Sequence, residues 1–366
     1  SNMCANNGKI SLRQIKRFMI FTIFGLSSLI LPQLLAGISG IDGSLAIVLG
    51  MVLAFCFLGL IGACMGQMQG DYYDYLREAF GRKLSDICLI FYFFYNTCLG
   101  GFAAYTICHL VLKNLLHEES FPVILILLLI TGAYGIYGGL ECRVRVYEIL
   151  FWTLAGLFLL MLVFSVGSVD MDKWMPLLYD SGMDFLQSTW MVFGLFSLVF
   201  FTLFLKPFSN QTQKLRGSVG RALLVSGILL LLLYLLLVGI FGTKALAETP
   251  YSVVVLMSMV ELPGGFLERF DAVMVGVWFF ALYALMDHSI FHSVDIFMRT
   301  FSVKKKRYPS LLVLVLVYFV AKECWDSLLF LAVIRRLFYC LAVPVSVVIP
   351  FLAWLVVRRK RRAEHV

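Results

Sequence analysis

Charge is the scarcest commodity in this sequence. Only 14% of its 366 residues are Asp, Glu, Lys or Arg, against 61% that are hydrophobic. Mean hydropathy is +0.91. A water-soluble fold of this length cannot hide so much apolar surface, so the soluble classes are excluded. Alternating polar and apolar residues are also missing. The apolar runs continue for more than about 17 residues, which excludes an outer-membrane barrel and leaves an all-α integral membrane protein. No CxxC pair occurs among the nine cysteines (Cys4, Cys56, Cys64, Cys88, Cys98, Cys108, Cys142, Cys324, Cys340). They read as small packing residues rather than as ligands or a disulfide framework. A Walker loop, a nucleophile elbow and zinc-ligand spacing are absent, so the expectation is no enzyme, no cofactor and no metal. No cleavable signal peptide is visible, because the first apolar run is too long and lacks a small-residue cleavage site. Ser1-Asn2 ahead of Met3 reads as an expression scar.

What remains are about ten apolar spans, near 14–36, 43–66, 86–112, 121–138, 145–168, 184–206, 218–241, 270–298, 309–324 and 328–357. They make one transmembrane domain. The net charge of +8 is a topology signal rather than a nucleic-acid surface. Alternate connections hold most of the basic residues, from Lys9 and Arg13 through Arg143, Lys206 and Lys304 to Arg358–Arg362. The opposite set holds only Lys113, Lys173, Lys244, Arg269, Lys322, Arg335 and Arg336. Both termini are therefore expected in the cytoplasm. Asp71 to Asp86 reads as an interfacial cytoplasmic helix. Thr249 to Gly265 reads as an outer helix with Thr249 as N-cap and Pro250 at its first position. Its apolar side, Val253, Leu256, Met257 and Val260, suits a lid or plain loop packing.

Ten spans divide into two inverted halves, about 14–168 and 184–357, in which span one matches span six. Gly25, Ser27 and Ser28 lie roughly 12–16 Å deep in span one, close to the midplane. Gly194 and Ser197 lie at matching depth in span six. Small residues at matching depth point to discontinuous helices whose freed backbone groups face a ligand; close helix packing is the alternative. Asn96, Thr97, Gly100 and Tyr283 are further midplane candidates for substrate binding. The face His288, His292, Asp295 (i, i+4, i+7) is a candidate proton relay, or a helix end reaching the wet interface. Glu141, Arg145 and Glu148 have the spacing of structural ion pairs.

Three stretches resemble the B subunit of spore germination receptors, the GerAB-like endospore germination permease family. Ile10, Ser11, Gln14, Gly25, Ser27, Ser28, Leu31 and Pro32 match its opening segment. Gly139, Glu141, Arg145 and Glu148 match a Gly-x-Glu…Arg-x-x-Glu element, and Glu268, Arg269, Asp271 and Trp278 a Glu-Arg-x-Asp…Trp element. The resemblance implies a member of the amino acid–polyamine–organocation superfamily with a LeuT-type 5+5 inverted repeat and discontinuous helices one and six. It also implies a small nutrient ligand, an amino acid in many relatives, the spore inner membrane, and assembly with receptor A and C subunits. Membrane lipid is the other expected partner, and nucleic acid is not one. Amino acid permeases carry Gly-x-Gly in span one; here it is Gly25-Leu26-Ser27, which leaves the ligand open. A proton-coupled amino acid permease, and a water or ion channel or scaffold, are the competing functions.

Overall fold

The computed structural model describes residues 9–116, 119–175, 182–259 and 270–364. Among them no β-strand forms; the one extended contact is a bridge between Ile10 and Ser209. The first helix, α1 (Leu12–Ser39), opens on a capping box in which Ser11 accepts from the Gln14 amide and Gln14 accepts from the Ser11 amide. The Ile-Ser-x-x-Gln opening is thus a helix start with two orphan donors satisfied. After α2 (Gly43–Gln67), α3 (Tyr72–Asn114) begins at Asp71, which accepts from the Asp74 amide. Gly81 interrupts α3 with φ 73° and ψ 175°, a backbone that suits glycine. Gly81 thus splits the stretch expected as one helix over 71–86: before it lies a short helix with Tyr72, Tyr75 and Leu76 buried, and after it comes span three.

A straight helix the length of α4 (Phe121–Ser165) would measure about 68 Å, twice the bilayer core. Its two halves instead run in opposite directions. Phe121 stacks on Trp325, with ring centroids 4.5 Å apart, while Lys306 Nζ donates to the Ile136 carbonyl at 2.6 Å. The first half therefore runs antiparallel to α11 (Arg307–Asp326). Beyond it Glu148 meets Arg17 at 3.3 Å and Phe158 meets Phe24, so the second half rises beside α1.

Span six comprises α5 (Gly182–Phe196), a 3-10 turn (Ser197–Phe200) and α6 (Phe201–Leu205). There follow α7 (Thr212–Phe241), the short helices α8 (Thr243–Glu248) and α9 (Ser252–Met259), and α10 (Phe270–Thr300). Beyond α11, α12 (Leu328–Val343) joins α13 (Ile349–Glu364) through a π-turn at Pro344–Val348. By length and composition seven stretches among the described residues qualify to cross a membrane, one of them spanning α1 and α2 together. With α10 and the α12–α13 rod they account for the ten spans.

The outer helix departs from expectation. Thr249 closes α8, donating to the Ala245 carbonyl at 2.6 Å, and α9 starts only at Ser252, after Tyr251 at φ 52°. Pro250 lies in the intervening turn. Val253, Leu256 and Met257 are buried as the pattern required; Val260 lies outside the described residues.

Candidate functional site

Helix one is not broken. α1 is continuous from Leu12 to Ser39, and its loosening residues each have a local use. A β-carbon on Gly25 would stand 2.8 Å from the Ala281 β-carbon, so glycine is what lets α1 and α10 meet there. The Ser27 hydroxyl donates to the Ile23 carbonyl at 2.7 Å, within its own helix. The Ser28 hydroxyl donates to the Gly25 carbonyl at 3.2 Å and accepts from Trp278 Nε1 at 2.9 Å. Pro32 sits inside the helix and supplies no amide for the Ser28 carbonyl. The expected discontinuity at Gly25–Ser28 is therefore replaced by tight packing, because the hydroxyls satisfy carbonyls inside α1 and Gly25 removes the bulk.

Span six does change its winding at the expected depth, by tightening rather than unwinding. The Ser197 hydroxyl donates to the Gly194 carbonyl at 2.6 Å as the 3-10 turn begins. Gly194 has room, since an added β-carbon would meet only the Phe338 carbonyl, at 4.0 Å. Between these helices the space is nearly filled: about 10 Å³ remains among Leu26, Ile30, Phe102, Leu195, Arg335 and Phe338. A larger apolar hollow, about 60 Å³, lies on the other side of Gly25, walled by Phe24, Phe158 and Trp278. On α3, Thr97 donates to the Phe93 carbonyl and to the Ser293 hydroxyl, at 2.8 and 3.1 Å. A β-carbon added at Gly100 would come only to ordinary contact with the Ser289 β-carbon, at 3.4 Å. Asn96 is fully buried, and neither amide atom has a partner among the described residues.

Tyr283 belongs elsewhere. It stacks on Phe279 and lines a cavity of about 500 Å³ between α4 and α10. The floor of that cavity is an ion pair no motif announced, with Arg143 Nε 2.9 Å from Asp287 Oδ2 and both side chains buried. Arg143 also donates to the Gly135 carbonyl at 2.9 Å and the Asp287 carbonyl at 3.1 Å, tying the turn of α4 to α10. Arg143 was expected only as a topology charge, and Asp287 was not singled out by the sequence. Outside the spans, Lys306 packs on the Phe291 ring. Its ammonium pKa is lowered by burial and then by Arg143, with Asp295 opposing.

The candidate relay divides in two. His288 and His292 are both 1% exposed, with ring centroids 4.3 Å apart, not at a wet helix end. Phe18 of α1 and Phe201 and Phe204 of α6 pack around them. Asp295 instead accepts from the Tyr73 hydroxyl at 2.8 Å and faces Arg299 at 3.6 Å, near the C-terminal end of α10.

Against known proteins, a family profile for spore germination proteins matches residues 9–325. The chain belongs to the spore germination protein family. Spore germination protein YndE of Bacillus subtilis is 25% identical over 249 residues, covering 66% of this chain and 67% of that one. Spore germination protein B2 of the same organism is 22% identical over 285 residues, 76% of each. Among solved structures, a Na+-coupled sialic acid symporter matches with a TM-score of 0.66 at 12% identity, over 93% of this chain and 78% of that one. Mhp1, a nucleobase-cation-symport-1 family transporter, matches with 0.68, also at 12% identity, over 93% and 77%. The fold is thus that of LeuT-type transporters.

In this spore germination protein the resembling motifs meet in space. Gln14 and Arg17 from the opening of α1 both bond Glu148, at 2.7 and 3.3 Å, and Arg13 joins them at 2.9 Å. Glu148 thereby faces α1 rather than Arg145, while Arg145 pairs with Glu141 as its spacing required. Trp278 of the third motif bonds Ser28 of the first. Glu268, Arg269 and the side chain of Asp271 lie outside the described residues. Arg335, which lines the small gap beside Leu26 and Phe102, was not among the expected site residues.

Proposed function

We propose that this chain is the membrane-embedded, transporter-fold subunit of a nutrient germinant receptor. A small nutrient, an amino acid by analogy with the family, binds where α1, α3, α5–α6 and α10 cross, and α9 closes over it. The observation that carries this reading is the 3-10 turn at Ser197–Phe200, set beside a nearly filled gap of about 10 Å³. Transporter-fold bundles are bistable, so a packed crossing is one member of a pair of states. A nutrient that fits only the opened crossing shifts the population, and A and C subunits read that shift in the spore inner membrane with both termini cytoplasmic. Gly194→Leu tests it. A β-carbon at Gly194 has room, and the leucine branch beyond it would occupy the crossing, so the nutrient dose–response of spores should be lost at a chain level checked by immunoblot. An unchanged dose–response would remove the site from this crossing.

A second reading, a proton-coupled amino acid permease, is favoured by the buried His288–His292 pair beside α1 and α6. Uptake of labelled amino acid into proteoliposomes along a pH gradient, lost in His292→Phe, would select it over sensing.

A further inference from the structure

The cavity between α4 and α10 opens on the flank of the bundle, and the nutrient reading makes no use of it. Its volume is about 500 Å³. Tyr147, Tyr283 and Phe280 give it aromatic walls, and Arg143 and Asp287 give it a charged floor. The charges are not both consumed by each other. Asp287 is 2% exposed, and its Oδ2 takes the Arg143 Nε at 2.9 Å. Its Oδ1 has no hydrogen-bond partner among the described residues. Nearby, Gly135 leaves that oxygen clear, for a β-carbon there would approach it to 2.7 Å. A buried carboxylate oxygen without a donor is costly, and such an atom in a cavity wall asks for a ligand that brings one. The mouth is formed by Ile130, Tyr134 and Val146, all exposed on the flank of the bundle.

The charge balance narrows the ligand. Arg143 and Asp287 sum to zero, so a lone cation or a lone anion would leave net charge in a largely apolar space. A zwitterion adds none. We propose that this cavity binds a small zwitterionic amine of amino-acid type with an apolar or aromatic side chain. Its ammonium donates to Asp287 Oδ1, its carboxylate faces Arg143, and its side chain lies along the tyrosine walls. The site is separate from the α1–α6 crossing and stands whether or not a nutrient binds there.

The test uses the purified full chain in detergent and equilibrium dialysis with four labelled probes of one shape: leucine, 3-methylbutylamine, 4-methylpentanoate and 4-methyl-1-pentanol. Leucine should bind at least about tenfold more tightly than the other three. Asp287→Asn should remove that preference. Because Asp287→Asn leaves Arg143 without its carboxylate and risks misfolding, Ile130→Trp serves as the second variant, blocking the mouth with the ion pair intact. It should weaken leucine binding at least about tenfold, whereas Leu224→Trp on the exposed face of α7 leaves it unchanged. Equal binding of all four probes, no binding of any, or leucine binding that survives Ile130→Trp would each overturn the proposal. Survival in Ile130→Trp would leave the crossing as the amino acid site, and a loss shared by Leu224→Trp would show that the effect is not local to the cavity and would overturn the proposal as well.

Discussion

The indole nitrogen of Trp278 donates to the Ser28 hydroxyl at 2.9 Å, across 250 residues of sequence. Both groups are buried. A tryptophan N–H inside a membrane bundle needs an acceptor, and Ser28 offers one while giving its own proton to the Gly25 carbonyl. Trp278→Phe keeps a ring in the same space and loses only the donor. It should cost about 1 kcal/mol of stability. A double-mutant cycle with Ser28→Ala, read by thermal unfolding in detergent, should return a coupling of similar size. A coupling indistinguishable from zero would mean that the pair touches without acting together.

Gly25 and Gly194 have opposite prospects. Gly25→Ala places its β-carbon 2.8 Å from that of Ala281 and 3.2 Å from the Ala281 carbonyl carbon, and backbone cannot move aside cheaply. The expected loss is about 1–3 kcal/mol. The second-site change Ala281→Gly removes the nearer obstacle and should recover part of it. Gly194→Ala meets nothing closer than 4.0 Å and should change stability by less than about 1 kcal/mol. If the two substitutions prove equally damaging, close approach is not what Gly25 supplies.

Glu148 binds three residues of α1 at once: Gln14, Arg13 and Arg17. Arg17 is itself 9% exposed and lies over the Phe151 ring. Glu148→Ala leaves that guanidinium without its carboxylate and the start of α1 without its tie to α4. A loss of about 2 kcal/mol is expected. Glu148→Gln, which still accepts hydrogen bonds, should lose about half as much. Measured by thermal unfolding, equal losses would show that charge rather than hydrogen bonding holds this end.

These ties explain what could be read from the sequence and what could not. Apolar run length located the spans, because backbone in lipid must be helical and a helix needs about 20 residues to cross, although α7 starts at Thr212 rather than near 218 and α13 runs to Glu364 rather than 357. Gly25 and Ser28 were legible as special for the same reason, since an apolar helix has no use for them by default. Their role was not. Whether a glycine opens a helix or admits a neighbour depends on what stands opposite, and Ala281 is named by no local pattern. Arg143 and Asp287 were hidden by their own strands of meaning: one counted as a topology charge, the other lay off the His288–His292 face. Only the reversal of α4 brings them together. The ion pair Glu141–Arg145, four residues apart on one helix, needed no such long-range knowledge.

The buried imidazoles of His288 and His292 yield the prediction with the widest consequence. Their four ring nitrogens have no hydrogen-bond partner among the described residues, and aromatic rings surround both. A polar atom buried without a partner lowers stability, and an apolar replacement of like shape relieves it. His292→Phe should therefore fold, with stability unchanged or raised by about 1 kcal/mol. Thermal unfolding of purified protein checks this. A drop of more than about 1 kcal/mol would show that water or a proton occupies the space between the rings and that the nitrogens are partnered in the membrane. The same variant then separates packing from proton handling. A stable protein whose nutrient response is intact assigns the pair to the core, whereas a stable protein whose response or uptake is lost assigns it to the function.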